Sequence, residues 1–496
     1  MRNAGTMRGR NRRRGQALVP VLFIVVILTA FAVTVSGTAR REVRAAGNYL
    51  KEAQAHFIAR GAVEYALAEL QQSTGGGITP PQLAAPPDTD ANGWTQLGDG
   101  WYKVEVIDTA SRVNINTASF AMLVKLPAFQ ANRELAAALV DWRDADDVPG
   151  STSVGTAPPS PMSTTDPVTG AETDHYQGLV PPYEAKNAPF DTVDELLLVA
   201  GFTPAVLYGP PAVEEPPAAS LGARMATGTR QGDGGAGGAG TPDSEQPAVD
   251  TSASETPLVE LITTLSRELN VASDGTPRVN VKTASQQDMQ SRLGISASLA
   301  NALVQARGDN GANIRSIADL LNIPGFTRQV MQQIGDKVTV TDAQQRNGVI
   351  NINTAPPEVL ATIPGADETI YNAVVDYRSG GQTFTGLNDL FRITSLNRQQ
   401  LQVLVDHVCT KSSVYLVRVR VRMPGSRGVH AVQALVEVAP PQTGTPGGQV
   451  SPGSPSTAQP QSPRILQWRE VPRRPGWSSW TSAGASTSTG GILGVP

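Results

Sequence analysis

The sequence has a single cysteine, Cys409, and only four histidines among its 496 residues. One cysteine excludes a disulfide framework and a multi-cysteine zinc site, and scattered histidines argue against a histidine-based metal centre. The sequence lacks a Ser-His-Asp set with a nucleophile elbow, a Cys–His pair in a motif and a phosphate-binding Walker loop, so it predicts no enzyme. Aromatic residues make up only 5%, whereas 48 glycines and 38 prolines predict that much of the chain is linker.

Charge is absent from one long segment near the amino terminus. The first fifteen residues carry six arginines and no acid, and without them the net charge of −4 becomes −10. No charged residue occurs over residues 16–39, and about 20 apolar residues at 1.5 Å per residue match a hydrocarbon core of ~30 Å. We expect a single transmembrane helix with a cytoplasmic amino terminus and the rest of the chain on the other side of the membrane. A secretory signal peptide is the alternative, but the apolar run is long for one and lacks a small-x-small cleavage site.

The helical pattern continues beyond the apolar segment. Residues 40–71 contain no proline, and apolar residues recur at steps of three and four. We therefore predict one helix over residues 16–71, about 84 Å long at 1.5 Å per residue.

The basic leader, Gly15 directly before the apolar run, and the uninterrupted helix resemble type IV pilins and type II secretion pseudopilins. The resemblance implies that a prepilin peptidase cuts after Gly15 and methylates Gln16. The fifth residue of the mature chain is usually glutamate in these families, whereas here it is Pro20. Among pseudopilins the minor K subunit characteristically lacks this glutamate and is placed at the filament tip. In having Pro20 at this position, the chain resembles that subunit.

A short phrase occurs three times and is followed each time by a helical pattern ending in arginine. Its copies begin at Asn114, Asn280 and Asn351, and the arginines are Arg143, Arg307 and Arg378. An apolar-x-x-apolar-x-acid-Leu phrase closes each repeat, and the threonines Thr117, Thr283 and Thr354 suit helix N-caps. Three copies indicate either a duplicated helical domain or a normal pair interrupted by a linker.

The repeats resemble helix-hairpin-helix, or SAM-like, modules, some of which bind DNA phosphates through a Gly-apolar-Gly hairpin. The three hairpins begin at Pro127, Gly294 and Gly365, and none has the second glycine. Asp367 would also repel phosphate, and the acidic mature chain disfavours DNA. No nucleic-acid partner is therefore expected.

Alternating segments at 101–107, 414–421 and 429–438 predict strands. The predicted fold class is α+β, with a pilin-like long helix and a small antiparallel sheet that carries inserted all-α repeats. The order of these motifs over residues 10–440 is similar to the minor pseudopilin K family. The predicted segments are a leader (1–15), the pilin helix (16–71), the sheet (98–112 and 410–440), a first SAM-like domain (113–211), a disordered linker (212–257), further repeats (258–409) and a disordered tail (441–496).

Acidic residues are concentrated where the second helix of the first repeat should end. Asp141, Asp144, Asp146 and Asp147 face the negative end of a helix dipole and repel one another, costs that a hard cation would relieve. Glu172 and Asp174 could complete the shell, and calcium accepts 6–8 oxygen ligands. K pseudopilins are similar here, since they bind calcium in the helical domain near this phrase. The alternative is a solvated acidic loop that caps Arg143.

The predicted function is that of a type II secretion minor pseudopilin that caps the periplasmic pseudopilus and aids protein export across the outer membrane. The resemblance implies other minor pseudopilins, the major pseudopilin and prepilin peptidase as partners, with a single-pass location in the inner membrane. A membrane-anchored, competence-type DNA-binding protein is the alternative function, and a pilus-tip adhesin is a third.

Overall fold

The computed structural model describes residues 18–74, 86, 88–148, 170–209, 256–308, 311–426, 428–438 and 463–471. The predicted leader, with Gly15 and Gln16, and all but two residues of the predicted linker lie outside these ranges. The chain divides into two compact units. One comprises residues 1–63, 85–103 and 419–432, and the other comprises residues 64–84, 104–418 and 433–496.

Helix α1 (Leu18–Thr74) confirms the predicted long helix and ends three residues later than expected. Pro20 falls in its first turn, where backbone N–H groups have no intrahelical partner in any case. Three threonines of the apolar half donate their hydroxyls to carbonyls three residues back, each at 2.8 Å, so these polar groups are satisfied within the helix. Among the described residues, Pro20–Gln71 is the one helix long and apolar enough to cross a membrane, judged by length and composition.

Strands β1 (Thr95–Leu97) and β2 (Gly100–Asp108) form an antiparallel hairpin, with Thr95 opposite Tyr102. Both of these side chains are buried, so they set the inner face of the hairpin. Gly100 has no room for a side chain, because a Cβ there would lie 2.7 Å from both Ile58 of α1 and Met423. A 3-10 helix (Thr109–Ser111) follows β2, so the predicted strand region 98–112 is part strand and part helical turn.

Three helical repeats of the same plan follow. The first contains β3 (Val113–Asn114), α2 (Phe120–Leu123), α3 (Pro127–Gln130), α4 (Arg133–Arg143), α5 (Thr173–Gln177), a 3-10 helix (Val193–Leu198), α6 (Pro204–Tyr208), α7 (Leu258–Leu261) and β4 (Ile262–Thr263). After β5 (Arg267–Leu269), the second contains β6 (Val279–Asn280), α8 (Gln286–Leu293), α9 (Ala297–Arg307), a 3-10 helix (Ile317–Asn322), α10 (Arg328–Ile334) and β7 (Val338–Thr339). After β8 (Gln345–Asn347), the third contains β9 (Ile350–Asn351), α11 (Pro357–Leu360), α12 (Glu368–Ser379), a 3-10 helix (Leu387–Arg392), α13 (Arg398–Val405) and β10 (Val408–Cys409).

Each repeat is closed by two short parallel strands, one at its start and one at its end. The pairs are β3 with β4, β6 with β7 and β9 with β10. Strand β4 therefore belongs to the first repeat, although residues 258–263 follow the predicted linker and were expected to begin the later repeats. This placement corrects the predicted boundary and shows three complete repeats among the described residues.

The recurrent residues of the repeats are explained by hydrogen bonds around the turn that follows the first strand. Asn114, Asn280 and Asn351 each accept a bond from the backbone N–H two residues later, at 2.9–3.0 Å. The arginine that ends the long helix donates to carbonyls of the same turn, as Arg307 does to Ala284 at 2.7 Å. Arg143 and Arg378 make the equivalent bonds in the other repeats.

The N-caps of the first helices differ from the prediction. Ser119 and Ser285 cap α2 and α8 through their hydroxyls, whereas Thr117 and Thr283 lie two residues earlier, within the turn. In the third repeat Pro356 occupies the cap position of α11 and makes no side-chain hydrogen bond. The threonine prediction was wrong because the Asn-anchored turn uses those residues before the helix can begin.

The last strands among the described residues are β11 (Val414–Arg422), β12 (Val429–Glu437) and β13 (Arg464–Glu470). The sheet order is β1-β2-β11-β12-β13, which confirms the small sheet. The prediction of a disordered tail over 441–496 is wrong for β13. This segment is a short run of apolar and long side chains after Pro463, and it pairs along the edge of β12 with Arg464 bonded to Glu437 at 2.7 Å.

Candidate metal centre

The candidate centre lies in the first repeat, where α4 ends and α5 begins. Asn132 caps the start of α4, and the N–H of Asp144 bonds to the Val140 carbonyl at 3.1 Å at its end. Asp141 is fully buried near this end, which is the negative pole of the helix dipole. Glu172 occupies the position before the first residue of α5 and is 4% exposed. Two helix termini thus bring carboxylates from distant parts of the sequence to one place.

Three of the predicted residues form a compact group of carboxylates. One oxygen from each of Asp144, Asp146 and Glu172 can be chosen so that all lie within 4.8 Å of one another. Asp144 and Glu172 are buried, and Asp146 is half-buried. Asp141 is close to the same group, because among the four aspartates its charge acts most strongly on Glu172 and that of Asp147 least. Gly170 packs on Asp141 so closely that a Cβ at this position would overlap with the Asp141 carboxylate.

The electrostatics of the group are unfavourable for Glu172. Burial first, and then the negative charges of Asp141, Asp144, Asp146 and Asp147, raise the pKa of Glu172 to about 8. Neither of its carboxylate oxygens has a hydrogen-bond partner among the described residues, and both are buried. A buried carboxylate without a donor is costly, and a cation bound between these groups would offset both the desolvation and the repulsion.

Asp147 and Asp174 are not members of this group. Asp147 is exposed, and its carboxylate accepts a hydrogen bond from Asn187 at 3.4 Å. Asp174 is exposed in the first turn of α5. The structure therefore brings together Asp144, Asp146 and Glu172 with Asp141 beside them, and leaves these two acids outside.

Three aromatic side chains pack between the helices that carry this group, and the sequence did not predict them. Trp142 and Tyr176 meet edge to face with ring centroids 5.0 Å apart, and Tyr183 lies 6.2 Å from Trp142. Tyr176 is fully buried, and its hydroxyl accepts a hydrogen bond from the Ala200 amide at 3.2 Å. Since Trp142 is on α4 and Tyr176 is on α5, these contacts hold the two helices, and hence the carboxylates, together. The only sequence signal was the position of Trp142 directly after Asp141.

The donor set fits a hard cation. All side-chain donors in the group are carboxylate oxygens, which calcium and magnesium prefer, and the group contains neither histidine nor cysteine. Three or four carboxylates would supply part of the 6–8 oxygen ligands of calcium. The buried, unpartnered oxygens of Glu172 provide an additional reason for a cation at this position.

The segment that carries Glu172 also matches a known family model. Residues 160–208 match the family model of the type II secretion system, protein K. Over this segment the chain is similar to the type II secretion protein K family. The part of this protein K match that the structure describes runs from Gly170 to Tyr208 and contains Glu172 and the aromatic residues that support it. A second model, for a helix-hairpin-helix motif, matches residues 275–339, which correspond to the second repeat.

The chain is also similar to parts of two other proteins and to one solved structure. Endonuclease/exonuclease/phosphatase family domain-containing protein 1 of Danio rerio is 24% identical over 157 residues, and its Homo sapiens counterpart is 22% identical over 147 residues. These matches cover 27% and 24% of this chain, which spans about a quarter of the length of those relatives (28% and 26%). A chain in the crystal structure of the GspK-GspI-GspJ complex from the enterotoxigenic Escherichia coli Type 2 Secretion System is 13% identical, with a TM-score of 0.34, over 87% of this chain and all of that one.

Proposed function

We propose that this chain is a non-enzymatic minor pseudopilin that caps the periplasmic pseudopilus of a type II secretion system and aids export across the outer membrane. The observation that carries the proposal is the protein K match over residues 160–208. Its partners would be other minor pseudopilins, the major pseudopilin and a prepilin peptidase that cuts after Gly15.

Helix α1 supports the membrane part of the proposal. Its apolar half is exposed at every large side chain from Val21 to Val35, so no described part of the chain covers it. The bilayer before extraction, and neighbouring pseudopilin helices after it, would bury this surface. Pro20 at the place where related filament subunits carry glutamate supports a position at the tip rather than along the shaft.

The three repeats support a capping role by their bulk. A pilin-type helix and sheet would suffice for a shaft subunit, whereas this chain adds about 300 residues, numbered 113–409, between two strands of its sheet. Such an insertion would obstruct the addition of another subunit at one end of a filament.

Labelling of filaments tests the capping role. In the source bacterium with its own copy deleted, the tagged chain should restore secretion and label one end of pseudopili produced in excess. A Pro20→Glu variant should shift part of the label to the shaft, while Pro20→Ala serves as the matched control without a new charge. Even labelling of the unmodified chain along filaments would contradict the capping role.

We propose further that Asp144, Asp146 and Glu172, with Asp141, hold calcium. When bound, the cation would supply positive charge that neutralises the carboxylates, while this chain's helices α4 and α5 position them. Calorimetric titration of the metal-free full chain in micelles tests the site. Glu172→Gln should abolish the heat of binding and Asp174→Asn should preserve it; no heat with millimolar calcium for the unmodified chain would exclude the site.

A DNA-binding function is the second candidate, because the second repeat matches the helix-hairpin-helix model. Gly294 lies between α8 and α9 with a φ of 71°, as a hairpin turn requires. The next residue, Ile295, is buried, and Ser296 caps α9 through its own side chain. Duplex binding by the full chain at moderate salt, lost in a Gly294→Asp variant, would favour this function over the pseudopilin proposal.

A further inference from the structure

An exposed arginine is stacked between two tryptophans at the start of the sheet. The guanidinium carbon of Arg422, on β11, lies 4.7 Å from the ring centroid of Trp94 and 5.3 Å from that of Trp101. Both distances are within the range of cation–π attraction. Trp101 is on β2, and Trp94 immediately precedes β1.

The backbone of the loop that carries Trp94 is held by local hydrogen bonds. The Asp90 carboxylate accepts bonds from the backbone N–H groups of Asn92 and Trp94 at 2.9 and 2.8 Å, which fixes the loop before β1. Lys103 donates to the Asn92 carbonyl at 3.0 Å, so its ammonium supports the same loop. The loop that carries Trp94 is therefore ordered by contacts within this chain.

The guanidinium of Arg422 can donate hydrogen bonds to a partner. Its guanidinium makes no hydrogen bond or ion pair with any residue that the structure describes, and the side chain is exposed. Arg418 on the same strand differs, because it is buried and pairs with Glu260 at 3.0 Å. Its guanidinium carbon lies over both indoles, and the planar fork of N–H groups matches a carboxylate in a bidentate arrangement.

We propose that Trp94, Arg422 and Trp101 form a docking site for a single aspartate or glutamate side chain on another protein. Arginine and tryptophan are the residue types that dominate binding energy at protein interfaces, and the indoles would contact the apolar stem of the acidic side chain. The inference rests on this geometry and is independent of the proposed capping role.

The charge of the site favours a protein carboxylate over an anionic membrane. The stack contains one free cationic group, since the nearby Lys103 ammonium is bonded to its own loop. Recognition of anionic lipid surfaces generally uses clusters of about 4–8 basic residues. One fixed guanidinium between two apolar rings suits one carboxylate.

Titration with short peptides tests the proposal. The full chain in zwitterionic micelles, with isotope-labelled tryptophan, would be titrated with acetyl-Val-Glu-Val-amide while the indole N–H resonances are followed by NMR. The variants Trp94→Phe and Trp101→Phe assign the two resonances. We expect both to shift, and the glutamine analogue of the peptide to bind at least about tenfold more weakly.

Two arginine variants separate the fork from simple charge. Arg422→Ala and Arg422→Lys should each weaken peptide binding by about tenfold, because lysine keeps the charge but loses the planar fork. Arg398→Ala, at an exposed arginine of α13, is the matched control and should leave binding unchanged. The proposal would be overturned if the peptide caused no shift or if the glutamine peptide bound equally well. It would also be overturned if Arg422→Lys left binding unchanged, or if phosphatidylglycerol vesicles gave stronger shifts than the peptide.

Discussion

Replacing Glu172 by glutamine should have opposite effects on the first repeat with and without calcium. The pKa of Glu172 is raised from 4.5 to about 8, chiefly by burial. A carboxyl with a raised folded-state pKa stabilises the fold at low pH, and this contribution is lost as the pH rises from about 4.5 through about 8. Glutamine has no proton to lose, so the metal-free variant should escape this loss.

The size of the effect follows from the pKa shift. At pH 7 the pH is about 2.5 above the unfolded-state pKa of 4.5 but below the folded-state pKa of about 8. The stability lost up to this pH is therefore about 3.5 kcal/mol before screening. Water at the half-buried Asp146 side of the group screens part of this energy, so we expect about 1–3 kcal/mol. With calcium in hundredfold excess over its Kd, the unmodified chain should instead gain about 2.7 kcal/mol that the variant cannot gain.

Hydrogen exchange measures the stability of individual helices, which is appropriate for a chain with several folded units. Amides of α4 and α5 should be about tenfold or more better protected in Glu172→Gln than in the unmodified chain at pH 7 with chelator, with little difference at pH 5. With calcium, the same amides should be better protected in the unmodified chain than in Glu172→Gln. Asp174→Asn removes an exposed acid of the same helix start and should behave like the unmodified chain. Weaker protection of the metal-free variant at pH 7 would mean that the buried charge of Glu172 does not destabilise the first repeat.

Three further substitutions test other contacts. Gly170→Ala should displace the Asp141 carboxylate and weaken calcium binding by at least about tenfold in calorimetry, whereas unchanged affinity would show that Asp141 is not needed. Asn353→Ala removes three hydrogen bonds of 2.9–3.0 Å to neighbouring backbone and should destabilise the third repeat by about 2–4 kcal/mol. Hydrogen exchange in α11 and α12 should become faster. Faster exchange spread evenly over all three repeats would contradict a local role. Arg469→Ala removes the bonds from β13 to Asp194 and Gln433 and should raise exchange in β13 about tenfold, with β11 unchanged as the internal reference.

Features with a strong local period were predictable from the sequence. The apolar run and its amphipathic continuation indicated α1, and alternation indicated β2, β11 and β12. The arginine that ends each long helix was visible as a repeated residue, and its hydrogen bonds now give it a structural reason. The cluster of acids after Asp141 was likewise visible, because four carboxylates within seven residues are conspicuous in a chain of 17% charged residues.

Features that depend on distant pairing were not predictable. Strands β3 and β4 have two residues each and pair Val113 with Ile262, so neither has a period of its own. Strand β13 occurs in a proline- and serine-rich tail and is stabilised by the edge of β12. The choice of Glu172 over Asp174 as a member of the acidic group depends on which side chain is buried where α5 begins, and Gly170 matters only because Asp141 lies against it.

The assignment as a pseudopilin can be checked at the amino terminus of the chain recovered from its source organism. Mass spectrometry should find a mature chain that begins with methylated Gln16, since a pseudopilin would be cut after Gly15 and modified there. A chain that retains Met1, or one cut on the carboxyl side of the apolar segment, would contradict the assignment as a pseudopilin.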